Sequence, residues 1–433
     1  MNAEYAYLFR HALLRDAAYQ LQLPSDRAKL HALAFKTIEA HHGGRAPDPP
    51  PLDGAIDAPF KPHPIDECAE ELADHIQLAP RNARQAALCR LYLRRAAETA
   101  ERNYRNHAAR RLFEVLAERL EGAARGEALR RAADMALFCG NPKEAIPLLE
   151  QAIHCQRVAG RRELEARAVG CLAGLYKDMG SVAPAESNYR TALALARAVG
   201  DRKTEGVTLA NLANLCWEDA RLEEAENFHK AAEAIHREVR NVQSLGIVKA
   251  NLAGIYHVTG RLELAVAAYQ EALALLDRNT DRLQRGVILQ NYALLQKSMG
   301  HMSHAERDLK AAIVIHRECG NLRSEGNSLG NLAAIYRETA RPAAAEAAYV
   351  RALEILRDCG RPRFESNHLC DYALLLLETD RPQAARSAWQ RAQTLLRSLA
   401  GEAELVSRRA QMLAACEKAG VTPLDEAVPT QPS

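Results

Sequence analysis

The chain has 433 residues, of which 48% are hydrophobic and 26% are charged, so it carries enough apolar surface for a large core. Lysine and arginine (57) nearly balance aspartate and glutamate (55), and a formal charge of +2 gives no general attraction to nucleic acid or an anionic membrane. The ten cysteines form no C-x-x-C pair, the N-terminus lacks the pattern of a signal peptide, and no stretch approaches 18 uninterrupted apolar residues. We therefore expect a cytoplasmic protein with reduced thiols that binds neither a membrane nor nucleic acid.

Residues 1–160 are predicted to be mostly helical, with one interruption. Residues 1–40 have helical character but are out of register with the rest of the chain. Residues 41–64 are too rich in proline and glycine for a helix and are predicted to be a loop or linker. Residues 65–160 are predicted to be helical with degenerate repeats, which are clearest in the stretch ALRRAADMALFCGNPKEAIPLLEQAI.

Residues 161–400 contain six segments that align without a gap at a constant period of about 40 residues. In each segment an apolar run with helical spacing is followed by a short turn and a second amphipathic run, which predicts a helical hairpin. Alanine columns begin at Ala173, Ala185 and Ala192, and a bulky column lies between the last two. The bulky column is Tyr189, His229, Tyr269, Leu309, Tyr349 and Trp389. Such hairpins must stack to bury their apolar faces, so the predicted fold is all-α, an α-solenoid of stacked antiparallel helix pairs.

The repeats resemble those of the tetratricopeptide family, which has small, small and aromatic residues at these spacings. The turn position holds Gly180, Gly260 and Gly300. The period departs from the usual unit, which has about 34 residues and a proline near its end. Units of this length look like those of kinesin light chains and related adaptors. The resemblance implies a superhelix that binds a peptide or a partner protein in a concave groove.

The N-terminal part carries a second resemblance. The stretches FRHALLRDAAYQLQLPSDRAKLHALAFKTIE and IDECAEELADHI resemble the helical region after the nucleotide-binding core of large signal-transduction ATPases, whose chains often continue into sensor repeats. No P-loop pattern G-x-x-x-x-G-K-[ST] occurs in this chain. The resemblance therefore implies an alternative function: a sensor or regulatory fragment that associates with an ATPase or signalling domain outside this chain.

The end of the chain is predicted to close the stack. The stretch EAELVSRRAQMLAACEKAG, within residues 401–420, would form a capping helix whose outer face meets water. Residues 421–433, VTPLDEAVPTQPS, are predicted to be a disordered tail.

An asparagine recurs at one position of the first helix in successive repeats. An asparagine inside a helix costs about 0.5 kcal/mol of helix stability relative to alanine. The presence of asparagine at the same position in four repeats therefore indicates a specific role. The row is Asn211, Asn251, Asn291 and Asn331, and Asp371 continues it. In the family that the repeats resemble, this position lines the groove and hydrogen-bonds the main chain of an extended peptide, a task suited to an amide that both donates and accepts. The alternative role is structural, with the amide bonding a backbone carbonyl or bridging adjacent hairpins, and the two roles are compatible.

Further polar residues are predicted on the same helix face, where they would set specificity. They are Asn214, Trp217, His257, Gln290, Lys297, Asn327, Arg337 and Asn367. The surface is mixed, with a basic tendency that neighbouring glutamates offset. A partner segment with some apolar and some acidic side chains would fit it.

No constellation of residues predicts an enzyme or a cofactor site. Ser328 stands in a literal G-x-S-x-G, but a nucleophile elbow needs a preceding strand, and this serine lies in a predicted helix. Gly326 belongs to a glycine column with Gly206, Gly246 and Gly286, which indicates close approach of a neighbouring helix or of a ligand, and we favour helix packing. No H-E-x-x-H and no zinc-type cluster occurs. A column of arginines stands near the C-terminal ends of the second helices: Arg157, Arg197, Arg237, Arg317, Arg357 and Arg397. We interpret these arginines as cations that complement the helix dipoles. The alternative interpretation is a stripe that binds nucleic acid.

Overall fold

The computed structural model describes residues 19–54, 60–80, 82–276, 281–399 and 402–425. Nineteen α-helices lie wholly within these residues, which contain no β-strand, so the predicted all-α class is confirmed. The chain divides into two compact units, Met1–Leu215 and Cys216–Ser433, which we call unit 1 and unit 2. No helix of the described residues is long and apolar enough to cross a membrane.

Unit 1 contains eight complete helices, a short 3-10 helix and the greater part of a ninth helix, as far as the described residues show. They are α1 (Pro24–His41), the 3-10 helix (Pro64–Cys68), α2 (Ala69–Leu78), α3 (Ala83–Arg102), α4 (Asn106–Ala117), α5 (Gly122–Phe138), α6 (Pro142–Val158), α7 (Arg162–Asp178), α8 (Val182–Val199) and α9 (Arg202–Glu218). Each helix from α1 to α7 packs against the one that follows it. The predicted helical character of residues 1–18 concerns residues outside the described part.

Unit 2 continues with the end of α9 and ten further helices among its described residues. They are α10 (Leu222–Glu238), α11 (Val242–Val258), α12 (Leu262–Leu275), α13 (Arg282–Ser298), α14 (Met302–Glu318), α15 (Leu322–Glu338), α16 (Pro342–Asp358), α17 (Pro362–Glu378), α18 (Pro382–Ser398) and α19 (Glu402–Ala419). From α10 onward each helix packs against the next, and α11, α13, α15 and α17 also contact one another in sequence. Odd-numbered helices from α5 to α17 are called first helices and their even-numbered followers second helices.

The helix starts repeat at a constant interval over most of the chain. From α5 to α18 each helix begins at the same number of residues after the start of the helix before it, at Gly122, Pro142, Arg162 and so on to Pro382. The regular spacing therefore begins one full hairpin before the six segments that align in the sequence. Left-handed residues end many of these helices, mostly glycines such as Gly180 (φ 76°), as expected for a helix C-terminus.

The alanine columns are fully buried among the packed helices. Ala173, Ala185 and Ala192 and their equivalents in all six repeats have no exposed surface, and every member of the bulky column is buried as well. A single methyl group at the crossing lets two helix backbones approach closely, while the bulky residue fills the space beside it. This packing explains why both columns persist through the repeats.

The glycine column serves the same purpose within each hairpin. A Cβ built on Gly326 would lie 2.9 Å from Leu356 Cγ, and one built on Gly246 would lie 2.9 Å from Leu276 Cγ. On Gly286 the contact would be with His316 Cε1, at 2.8 Å. In each case the facing residue is 30 positions further along the chain, on or just after the second helix of the same repeat. The packing role predicted for Gly246, Gly286 and Gly326 agrees with this geometry.

The C-terminal segment differs from the predicted disordered tail. Leu424 is buried among residues of α18 and α19, and the Asp425 carboxylate accepts hydrogen bonds from Trp389 Nε1 and Gln393 Nε2, both at 2.6 Å. Residues 421–425 therefore cover the end of the apolar core, and the expectation of disorder is wrong for them. The rest of the predicted tail lies outside the described residues.

Alanine substitution should have opposite effects at two glycines of unit 2. Gly326→Ala should lower stability by about 1 kcal/mol, because the crowding by Leu356 outweighs the gain in helix propensity. Gly254→Ala should raise it by about 1 kcal/mol, because the nearest atom to its Cβ would be Tyr269 Oη at 3.8 Å. Urea denaturation followed by circular dichroism measures both. Equal shifts of the two midpoints would contradict the packing role of the column.

Candidate functional site

The asparagine row lies along the first helices and is half-buried throughout. In unit 2, Asn251, Asn291, Asn331 and Asp371 occupy equivalent positions on α11, α13, α15 and α17. The side chains of Asn291 and Asn331 make no hydrogen bond to any residue that the structure describes. Asn251 engages another residue, and Asp371 Oδ1 accepts a hydrogen bond from Arg408 Nη1 at 3.0 Å. Two amides of the row are thus available to a ligand.

Three residues predicted near the ends of the first helices form bridges between repeats. His257 Nε2 is hydrogen-bonded to Ser298 Oγ (3.0 Å), and Lys297 Nζ pairs with a Glu338 carboxylate oxygen (2.7 Å). Arg337 Nη1 donates to Glu378 Oε1 at 3.1 Å. Every bridge joins a residue to the one 41 positions further along, on the next first helix. The structure therefore gives these three side chains a structural role.

Trp217 and Gln290 are less accessible than the sequence suggests. Trp217 packs against a small core cluster of unit 2 that contains Ile255. Gln290 is buried, and its Oε1 accepts a hydrogen bond from Ser328 Oγ at 2.5 Å. The same bond accounts for Ser328, which is fully buried in the middle of α15 and lacks the exposed strand-to-helix turn of a nucleophile elbow.

Asn327 and Asn367 lie near the start of α15 and α17. His368 Nε2 donates to Asn327 Oδ1 at 3.0 Å, and the His368 ring covers Gly330 so closely that a Cβ there would clash with it. The side-chain oxygen Oδ1 of Asn367 is buried and has no hydrogen-bond partner among the described residues. Burial lowers the pKa of His368 to about 4, so the ring is neutral at physiological pH.

Unit 1 contains a cavity that the sequence analysis missed, apart from Asn211 at its wall. The cavity has a volume of about 380 Å³ and lies between α5, α7, α8 and α9; we call it the α7 cavity. Its lining is Arg130, Ala166, Arg167, Gly170, Cys171, Gly174, Tyr189, Lys203, Thr204, Val207, Thr208 and Asn211. The one available signal was Cys171, which stands where later repeats have the asparagine. Asn214, also predicted, engages another residue and does not line the cavity.

The proline-rich segment packs across the neighbouring part of unit 1. Arg95 of α3 is almost completely buried and donates to the backbone carbonyls of Pro47 (2.9 Å) and Lys61 (3.0 Å). Arg161 Nη2 donates to the carbonyl of Asp53 at 2.7 Å, and Leu52 packs against two apolar clusters. We call residues 45–54 and 60–63 the strap. The predicted loop is thus non-helical but tightly held where it is described.

A dense set of ion pairs lies beneath the strap, around a second cavity of about 330 Å³. Arg94 and Arg131 both pair with Glu98, and Arg130 pairs with Glu127 and with Asp134. Desolvation of the carboxyl group raises the pKa of Asp134. The strap and these pairs line the second cavity, which shares Arg130 and Arg167 with the α7 cavity.

Four arginines of the column each pair with the glutamate eight positions further along, while their own side chains remain more than half exposed. Arg197 Nε pairs with Glu205 at 2.8 Å, and Arg317 Nε pairs with Glu325 at 2.9 Å. Both carboxylates are buried at the start of the following first helix, so these arginines join successive repeats. Among the described residues, no group of three or more histidine, cysteine, aspartate or glutamate side chains is arranged to hold a metal ion.

Comparison with known families agrees with this geometry. Residues 164–238 and residues 326–358 each match a family model described as a tetratricopeptide repeat. The chain therefore contains tetratricopeptide repeats in these two segments. No curated protein sequence matches it.

Solved structures share the fold of this chain. A signal-transduction ATPase with numerous domains and a tetratricopeptide repeat sensor, from Pyrococcus horikoshii, is 14% identical and matches 92% of this chain and 67% of its own, with a TM-score of 0.57. The Rap conjugation gene regulator of plasmid pLS20, in complex with the Phr* peptide, is 12% identical and matches 88% of this chain and 97% of its own, with a TM-score of 0.53. At these identities the likeness is one of fold alone.

Kinesin-light-chain-like repeats from Podosopora anserina also match. They are 19% identical over 47% of this chain and 99% of their own, with a TM-score of 0.39. A TM-score this low gives no ground for a functional argument.

The buried His368 should make the stability of this protein fall at acidic pH. Its pKa is about 4 in the folded chain against 6.5 in the unfolded chain, so the unfolded state takes up a proton first as the pH drops from 6.5 toward 4. Between pH 7 and pH 5 this costs about 2 kcal/mol of stability. Urea denaturation at pH 7 and pH 5 measures this difference in stability. The variant His368→Phe should lose this part of the pH dependence. The control His304→Gln changes an exposed histidine and should retain it. A pH dependence unchanged in His368→Phe would refute the assignment.

Proposed function

We propose that the protein is a non-catalytic scaffold that binds an extended peptide segment of a partner protein along the first helices of unit 2. The observation that carries the proposal is the pair of unbonded amides of Asn291 and Asn331, which stand one repeat apart at equivalent positions. Each amide can donate to a peptide carbonyl and accept from a peptide N–H. The fold that this chain shares with a peptide-bound Rap regulator supports the same conclusion.

The bridges at the helix ends would assist such binding. Lys297–Glu338 and Arg337–Glu378 tie three successive first helices together at their C-terminal ends. A face whose helices are already fixed loses little conformational entropy when a peptide docks on it. The amides would then act as fixed hydrogen-bonding points, and the side chains around them would discriminate among peptides.

The test compares two asparagine variants of equal chemistry. Peptides selected from a random library on the wild-type chain would be measured by calorimetry against Asn291→Ala/Asn331→Ala. Loss of two peptide hydrogen bonds should weaken binding by about 10- to 100-fold. The control Asn188→Ala/Asn227→Ala, which changes two asparagines on second helices, should bind as the wild type does.

Thermal denaturation of the same variants separates binding from structure. Asparagine is the poorer helix former, so Asn291→Ala/Asn331→Ala should be at least as stable as the wild type if the amides serve a ligand. A variant that binds selected peptides with wild-type affinity, or a wild-type chain that selects no peptide, would contradict the proposal. A clear fall in melting temperature would favour the structural role instead.

A second candidate function is that of a sensor associated with a signalling ATPase. It is supported by the extent of the match to the Pyrococcus horikoshii protein, which spans most of this chain. Native purification should then yield a stoichiometric complex with a P-loop protein. Recovery of this chain without such a partner under conditions that preserve complexes would count against it.

A further inference from the structure

The α7 cavity runs along a row of small residues on α7. Ala166, Gly170 and Gly174 are four positions apart and so share one face of the helix, over a length of about 12 Å. A Cβ on Gly170 would meet nothing nearer than Ala192 Cβ at 4.0 Å, so the space above this glycine is open. A volume of about 380 Å³ lies within the range of pockets that hold small organic molecules.

A comparison of two repeats shows why the space is empty. In unit 2 the equivalent glycine, Gly330, is covered by the ring of His368, which lies 38 positions further along the chain. In unit 1 the residue 38 positions after Gly170 is Thr208, which lines the α7 cavity. Threonine is too short to cover the glycine as histidine does. The cavity therefore exists because one ring is absent from a packing arrangement that the chain uses elsewhere.

The charged side chains that line the cavity are all cationic. Three cationic side chains line it, those of Arg130, Arg167 and Lys203, and no aspartate or glutamate of the described residues does so. Arg130 is neutralised by Glu127 and Asp134 on the α5 side, and Arg167 lies 3.6 Å from Glu127. Lys203 also engages another residue, but its side chain is exposed to solvent at the mouth of the cavity, so an anionic group there could approach it while an apolar chain lay over α7.

From these observations we propose that the α7 cavity binds a medium-chain alkyl carboxylate, with the chain along Ala166, Gly170 and Gly174 and the carboxylate toward Lys203 and Arg167. A row of about 12 Å matches a chain of about ten carbons. The strap covers the neighbouring cavity, which shares Arg130 and Arg167, and so limits the ligand on that side. This site lies in unit 1 and does not depend on peptide binding by unit 2.

The first experiment uses decanoate and its uncharged analogue decan-1-ol with the full chain. Isothermal calorimetry should detect one decanoate site in the wild type, and decan-1-ol should bind at least about tenfold more weakly because it lacks the ion pair. Lys203→Glu should weaken the affinity for decanoate by about tenfold and leave the affinity for decan-1-ol unchanged. Absence of decanoate binding to the wild type, or equal affinity for the two ligands, would overturn the proposal.

Two variants test the position of the site. Thr208→His should cover Gly170 as His368 covers Gly330, and Gly170→Leu should fill the cavity while improving helix propensity. Both should weaken decanoate by more than about tenfold without lowering the melting temperature. Thr191→His is the matched control, because Thr191 is exposed on α8 and makes the same kind of bond to the carbonyl four residues earlier as Thr208 does.

The control variant should bind decanoate as the wild type does. Wild-type affinity in both Thr208→His and Gly170→Leu would overturn the proposal, because decanoate would then bind elsewhere. If Thr208→His fails to fold, Gly170→Leu alone decides between these results. Peptide binding by unit 2 should be unaffected in either variant, so failure here leaves that proposal separately testable.

Discussion

Close contact of helices at alanine is the constraint on which the rest of the structure depends. Each of the second helices from α8 to α18 carries two alanines that have no exposed surface, which are Ala185 and Ala192 in α8. The bulky residue between the two alanines is buried as well. A larger side chain at the crossing would push the helices apart and expose the bulky residue. This contact recurs once in every repeat, so the helices and turns must keep the same lengths from one repeat to the next.

Ion pairs join one repeat to the next. Arg261 pairs with Glu226, and the hydrogen bond from Arg261 lowers the pKa of Glu226 to about 2. Arg341 repeats the arrangement with Glu306. A chain with nearly equal numbers of acidic and basic residues can satisfy them internally in this way. On the first helices, the amides of Asn291 and Asn331 make no hydrogen bond to any residue that the structure describes.

Local and periodic features could be predicted from the sequence, and features that depend on one particular pair of residues could not. The hairpins, the alanine columns and the packing role of Gly326 all follow from patterns that repeat. The groove residues were harder, because a position on a helix face does not reveal its partner. Lys297 and Arg337 lie on the predicted face, yet each is bound by a glutamate of the next first helix. The strap was predicted only as a loop, since no periodicity indicates that a buried Arg95 holds its carbonyls.

Departures from the repeat determine how the space beside each first helix is filled. The residues 38 positions after Gly170, Gln290 and Gly330 are Thr208, Ser328 and His368. Ser328 bonds Gln290, His368 covers Gly330, and Thr208 leaves Gly170 uncovered. All three stand at the same position of a first helix, so the difference between a filled core and an open cavity comes from a single side chain. A solenoid can therefore keep its packing at the alanine crossings and still differ between repeats in its binding surfaces.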